Sequence, residues 1–283
     1  MNLCRKLKER LFHSNKSSND KLIAYKYRVW DKTKDPLEFH RRILTHNELY
    51  LSSPNQFNDP FDSSLPFQYR KKDLKPRKIY KRMYQMSIIE WPLMTHSERD
   101  RIIKERIGSG AFIDSKYSKE RHENFIKEIN EEIGIYSLSE NKSNILMWSH
   151  YADSHKGYCI GLDYNILLKI VRSIGPVTYS DKFPKLSLFP KDPVADFMQL
   201  FMTKSIDWAY EREIRIIMRY KARQTVKIPD ECIKEIIFGY KMEEPHKKEI
   251  IDLIKTKSTP IEIFEATAND EKFKLDINKK NLR

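Results

Sequence analysis

The run Trp208-Ala209-Tyr210-Glu211-Arg212-Glu213 leads into Ile214, Ile216 and Ile217, setting two carboxylates two residues apart at the head of a β-branched strand. Residues at i and i+2 of a strand share a face. Glu211 and Glu213 therefore repel unless solvent or a cation relieves them, and one carboxyl group rises in pKa. That pairing suits acid/base work or stabilisation of a positive charge, and its plainer reading is a solvated strand end.

A second group is Tyr25-Lys26-Tyr27-Arg28, at the end of an aromatic, β-prone run. Alternation gives Lys26 and Arg28 one face and Tyr25 and Tyr27 the other. The planar fork of an arginine grips two phosphate oxygens at once, so Arg28 projecting into a cleft is a phosphate anchor. On an edge strand it is a surface charge. A third group, Ser137-Leu138-Ser139, puts two hydroxyls on one face, opposite Leu138.

Between Ser137 and Lys156 the chain also gathers Trp148, His150, Tyr151, Asp153 and His155. Met147, Trp148, Tyr151 and Ala152 fit helical spacing, which sends Met147 and Trp148 to the core. His150 and His155 stand five apart rather than at the i, i+4 spacing that sets two ligands on one helix face, so no metal is expected. Residues 153–157 read as a polar turn into the strand at "YCIGLDY". Singly, each histidine is a structural hydrogen-bonding group. Beside Ser137, Ser139, Lys26 and Tyr27, the group reads as one wall of a cleft for a nucleotide-like ligand.

In chain order the three features run Arg, Ser-x-Ser, Glu-x-Glu, an order that resembles the signature of ADP-ribosyltransferases. The resemblance implies a pair of small β-sheets around a cleft, with NAD as substrate. It implies that Arg28 holds the phosphates and that Ser137 or Ser139 supports the nicotinamide ribose. Glu213 then binds the ribose hydroxyl and stabilises an oxocarbenium-like transition state, with Glu211 on the acceptor side. The implied activity is transfer of ADP-ribose to a macromolecule or to water, as a toxin or phage-defence effector with an antitoxin-like regulatory partner. On this reading Arg28, a serine of 137–139 and Glu213 converge on one pocket. The sequence departs from the pattern where Glu140 stands beside the serines, and in a long insertion at 70–133.

"YKYR", "LYLSSPNQFNDPFD", "MWSHYADSHKGYCIGLDY", "VTYSD", "WAYEREIRI" and "EIIFGY" resemble, in this order, the bacterial domain-of-unknown-function family 2971. That resemblance spans roughly residues 22–266 and implies a single domain without naming an activity.

The elements that must position these residues follow from periodicity and caps. Strands are expected at 22–30, 48–53, 135–139, 158–164, 176–180, 213–220, 225–228, 235–240 and 260–266. Asp35, Pro36 and Glu38 read as cap, first turn and capping box of a helix that Asn47 ends in the left-handed conformation. Residues 70–133 read as helices, with a Thr95/Glu98 capping box, Gly108 as a stop and Gly134 ending a further helix. Shorter helices are expected at 165–171, from Pro193 to about Ile206, where Asp192-Pro193 repeats the cap-then-proline start, and at 244–255. Asn58 and Asp59 before Pro60 make an Asx-type turn; Asp59 and Asp62 facing the cleft is the competing reading. Strands with helices in blocks indicate an α+β fold, a single domain over 22–283 preceded by a basic lead-in at 1–21.

The chain has 283 residues and no apolar run near the roughly 20 residues that span a bilayer. Its three cysteines lie far apart, which fits a reducing cytoplasm better than a disulfide framework. Net charge is +13, from 53 Lys+Arg against 40 Asp+Glu, a surplus that attracts anionic partners. Its densest run, "YRKKDLKPRKIYKRMY" (69–84), interleaves cations with Tyr69, Tyr80 and Tyr84, as a nucleic-acid-binding surface does and as a solvated helix face also does. A basic nucleic-acid-binding or nuclease-type effector, with His150 and His155 among its reacting groups, is thus the alternative to NAD chemistry. An interaction protein without chemistry is the third.

Overall fold

The computed structural model describes residues 22–34, 38–65, 68–109, 115–171, 173–187 and 189–280. The basic lead-in and the Asp35-Pro36 cap lie outside them. The chain divides into two compact units, one of residues 1–56, 132–179 and 206–283, the other of 57–131 and 180–205.

In chain order the elements are β1 (Ile23–Arg28), α1 (Arg42–Thr45), β2 (Glu48–Leu51), α2 (Pro76–Glu90), α3 (His96–Gly108), α4 (Ser115–Glu132) and β3 (Ile133–Ser139). Then come α5 (Ile145–Tyr151), β4 (Tyr158–Asp163), α6 (Tyr164–Ile170), β5 (Ile174–Pro176), β6 (Thr178–Ser180), α7 (Pro193–Met198) and β7 (Thr203–Ser205). The last are β8 (Glu213–Arg219), β9 (Gln224–Lys227), β10 (Ile233–Phe238), α8 (Glu244–Ile254), β11 (Glu262–Ala268) and β12 (Leu275–Lys279). The fold is α+β.

In place of a pair of small sheets, the first unit holds one eight-stranded sheet in the order β12-β11-β10-β4-β1-β3-β8-β5, with β2 and β9 paired separately. All neighbours run antiparallel except β10 and β11. The sheet buries both faces. One carries Ala24, Tyr136, Leu138, Ile160, Ile214, Ile216 and Ile236; the other carries Tyr25, Tyr27, Cys159 and Ile237, covered by Met147 and Trp148 of α5.

Several local signals act as the sequence indicates. Thr95 and Glu98 close a capping box on α3, Asp192 accepts from the Ala195 N–H with Pro193 behind it, and Asn47 has φ 55°. Asp59 Oδ1 accepts from the Phe61 N–H at 2.9 Å, the Asx-type turn. Others differ. Glu38 has φ 55° and α1 begins only at Arg42, because a left-handed residue cannot sit in a helical first turn. Gly134 lies inside β3, where an added Cβ would strike the Lys221 backbone and Leu51, so it serves close strand packing rather than a helix end. Helix α7 stops at Met198, not 206, and the strand expected at 176–180 breaks into β5 and β6 at Val177.

Candidate functional site

Strand β3 sits between β1 and β8, so the three motif-bearing strands are immediate neighbours. Ser139 pairs with Tyr25 on one side and Glu213 on the other, and Ser137 pairs with Arg215. Directly paired residues share a face. One face therefore holds Tyr25, Tyr27, Ser137, Ser139, Glu213 and Arg215.

Lys26 pairs with Ile160 and Arg28 with Tyr158, on the opposite face. There Lys26 Nζ donates to the Ser137 carbonyl at 2.6 Å, and the Lys26 and Arg28 charges lie 4.8 and 5.5 Å from the Tyr136 ring centre. Burial pushes the Tyr136 phenol up, against the opposing pull of the Arg28 charge. The expected convergence of Arg28 with Ser137 and Glu213 does not occur, and Arg28 is no phosphate anchor for a site on the serine face. The reason is register: strands alternate, and this one turns its cations away from the hydroxyls.

The serine face has its own arginine. Glu213 Oε1 accepts from Arg215 Nε at 2.7 Å and Oε2 from Nη2 at 2.9 Å, with both side chains fully buried. This bidentate pair relieves the repulsion expected between Glu211 and Glu213 and commits Glu213 to a structural partner. Arg215 was the residue to find in the sequence, because it stands two positions past Glu213 and so on the same face.

Glu211 is not on the strand. It closes a short helical turn, Ile206–Glu211, and Arg212 then takes a left-handed conformation at φ 43° before the strand begins at Glu213. A non-glycine residue in that region is held there by its surroundings, and here the bonds are explicit. Ser139 Oγ donates to the Glu211 carbonyl at 2.6 Å, Glu140 N–H to the Arg212 carbonyl at 3.0 Å, and Glu213 N–H to the Tyr179 hydroxyl at 2.8 Å. Ser139 is thus a backbone anchor. Arg212 reaches Glu140 at 3.0 Å, and burial, opposed by that arginine, raises the Glu140 carboxyl.

The hinge presents the buried Glu211 carboxylate to α5. Tyr151 OH donates to Glu211 Oε1 at 2.5 Å. Asn144 caps α5, accepting from Leu146 and Met147 N–H, and its amide reaches the Tyr210 carbonyl at 3.4 Å. Tyr27 packs edge-on to Trp148 at 5.1 Å and donates to the Asn141 carbonyl at 2.6 Å. From Tyr151 a run of aromatic rings leads on: exposed His150 is 6.2 Å from both Tyr151 and Tyr210, and Trp208 is 6.0 Å from Tyr210. Tyr210 and Trp208 are members that periodicity did not single out.

His155 belongs to the turn. Asp153, Ser154 and His155 have φ of 49°, 51° and 72°, three successive left-handed residues. His155 lies parallel to Trp148 at 6.5 Å, and its Nε2 meets Ser149 Oγ at 3.1 Å. Burial, helped by the Lys241 charge, lowers its pKa. His150 and His155 thus meet different neighbours, His150 the rings of Tyr151 and Tyr210, His155 the Trp148 ring and the Ser149 hydroxyl. Among the described residues, no group of three or more His, Cys, Asp or Glu is placed to hold a metal, and no helix is long and apolar enough to cross a membrane.

Residues 147–216, from α5 through β8, match a family model described as "Protein of unknown function (DUF2971)". The resemblance read from the motifs is to this family. The DUF2971 stretch contains Trp148, His150, Tyr151, His155, Tyr210, Glu211, Glu213 and Arg215, the greater part of the site. Neither the curated proteins nor the solved structures gave a match.

Proposed function

We propose that the protein is a nucleotide-directed effector of ADP-ribosyltransferase type, consuming NAD at Glu211 rather than at Glu213. The observation that carries this reading is the left-handed Arg212 hinge. It holds the Glu211 carboxylate against Tyr151, from which the rings of His150, Tyr210 and Trp208 run on, just ahead of the strand that pairs with Ser137 and Ser139. Aromatic rings give a nicotinamide or adenine ring a stacking surface, and a fixed carboxylate stabilises the positive charge that grows on a ribose as its glycosidic bond breaks. The C1′–N bond breaks, nicotinamide leaves neutral, and an acceptor hydroxyl, amine or water bonds to C1′ and gives up its proton. Arg212, exposed next to Glu211, takes the place in this reading that Arg28 cannot fill. Glu213, Arg215 and Ser139 position the hinge. The acceptor is a macromolecule or water, and an antitoxin-like partner and a cytoplasmic setting suit such an effector. The test is nicotinamide release from NAD by the purified protein and its Glu211→Gln variant.

A second reading rests on the other unit. Lys71, Lys72, Lys75, Arg77 and Lys81 are exposed along the start of α2, a surface for the phosphates of nucleic acid. Tyr80 and Tyr84 do not extend it as a stacking platform, since Tyr80 donates to Asp100 at 2.8 Å and Tyr84 packs on His96. This reading requires affinity for DNA or RNA that falls steeply with salt; affinity flat in salt would contradict it.

A further inference from the structure

Helices α2 and α3 of the second unit enclose a cavity of about 430 Å³. Its volume lies in the range of small-molecule sites, roughly 300–1,000 Å³. Apolar side chains, among them Met83, Met86, Trp91, Met94 and Ile103, form much of the lining, and the charged groups on it are Arg82, Arg99, Arg106 and Glu90.

Arg99 is the informative one. It is 5% exposed, and its guanidinium donates to the carbonyls of Ser87 and Trp91, at the end of α2 and just beyond it. Those bonds use two of its five N–H donors. No carboxylate forms an ion pair with it among the described residues; neighbouring Glu98 is engaged by Thr95 in the capping box. A buried cation without a counter-ion is costly. Arg82 and Arg106 likewise have no ion-pair partner among the described residues, so three arginines face one glutamate in a single cavity. Near the end of α2 and in the turn that follows it, Ile89 is 81% and Leu93 96% exposed.

We propose that this cavity binds an acidic amphiphile: one carboxylate or phosphate head held by Arg99, Arg82 and Arg106, with an alkyl or aromatic body among the methionines and Trp91. A guanidinium cluster selects the anionic head, and the thioethers adapt to the body. The proposal is independent of NAD chemistry at Glu211.

The test compares three probes with one tail, each below its micelle threshold, by calorimetry on the full chain: decanoate, decyl maltoside and decyltrimethylammonium. Saturable binding of one decanoate per chain is expected, at least about tenfold tighter than the other two, one decade being 1.4 kcal/mol. Arg106→Gln and Arg82→Gln, at exposed and half-buried positions, should each weaken decanoate about tenfold while leaving melting unchanged; Arg99→Gln should do so more strongly if it folds. Equal affinity for all three probes, or unchanged affinity in both outer variants, would overturn the proposal. Phosphatidylglycerol vesicles separate the sources of the ligand. Vesicle binding that decanoate competes away identifies a membrane lipid, and decanoate binding without vesicle binding identifies a free amphiphile. Vesicle binding with no decanoate binding would place the contact on the outer surface and overturn the cavity site.

Discussion

The Glu213 carboxylate and the Arg215 guanidinium close a two-bond pair, 2.7 and 2.9 Å, inside the sheet face opposite Arg28. Arg215 lies on the face of Ser137 and Ser139, and each charge neutralises the other out of reach of water. Removing one partner of such a pair leaves an uncompensated buried charge, at a cost of about 3–5 kcal/mol. Glu213→Gln should therefore lower unfolding free energy by about that much in urea melts, and Glu213→Met with Arg215→Met by less than the single change. A Glu213→Gln protein as stable as the parent would contradict the pairing.

Tyr151→Phe removes the donor that holds Glu211 Oε1. Hydrogen bonds to charged groups contribute about 1.5–3 kcal/mol, so a loss near that size is expected in denaturant unfolding. Nicotinamide release should fall with it, because the carboxylate is no longer fixed. Unchanged stability would mean that the hydroxyl and carboxylate do not meet in solution.

Gly157 and Gly239 bring two backbones together at the left-handed turn. A Cβ at Gly157 would strike the Arg28 carbonyl, and one at Gly239 the carbonyls of His155 and Gly157. Backbone atoms cannot move aside as a side-chain tip can. Gly239→Ala should cost more stability than alanine at Gly108, where nothing stands within 4 Å; equal melting temperatures would refute the close approach.

His155 sets a pH dependence. Its folded pKa lies below its unfolded value of about 6.5. The unfolded chain thus binds the proton more readily, and stability is complete above about pH 6.5. It declines as pH falls through the unfolded value toward the depressed folded one, and is level below that. Melting temperature followed from pH 7.5 to 5 should drop less in His155→Gln than in the parent, and parallel curves would remove the assignment.

The alternation of each strand was legible in isolation. Lys26 and Arg28 oppose Tyr25 and Tyr27, Ser137 joins Ser139, and Met147 and Trp148 are core. The polar turn at 153–157 and the caps at Thr95 and Asp192 were equally local. Which face of β1 meets which face of β3 was not, because it depends on pairing Tyr25 with Ser139; a slip of one residue would have brought Arg28 to the serines. Glu211 read as a strand residue because nothing in Glu-Arg-Glu signals a left-handed arginine. That conformation is imposed by Ser139, Glu140 and Tyr179, distant in sequence. The cavity beside Arg99 was hidden for a similar reason, since its basic lining comes from two helices whose charges look solvated one helix at a time.

The most direct measurement is nicotinamide release from NAD by the parent, Glu211→Gln and Glu213→Gln, with melting temperature recorded for each. Turnover is expected from the parent, with a fall of about 10² to 10³ in Glu211→Gln without loss of fold, the size expected for one preorganised electrostatic contact. Glu213→Gln should lose stability and activity together. No nicotinamide release by folded parent protein across nucleic-acid, protein and water acceptors, or full activity in folded Glu211→Gln, would contradict NAD cleavage at Glu211.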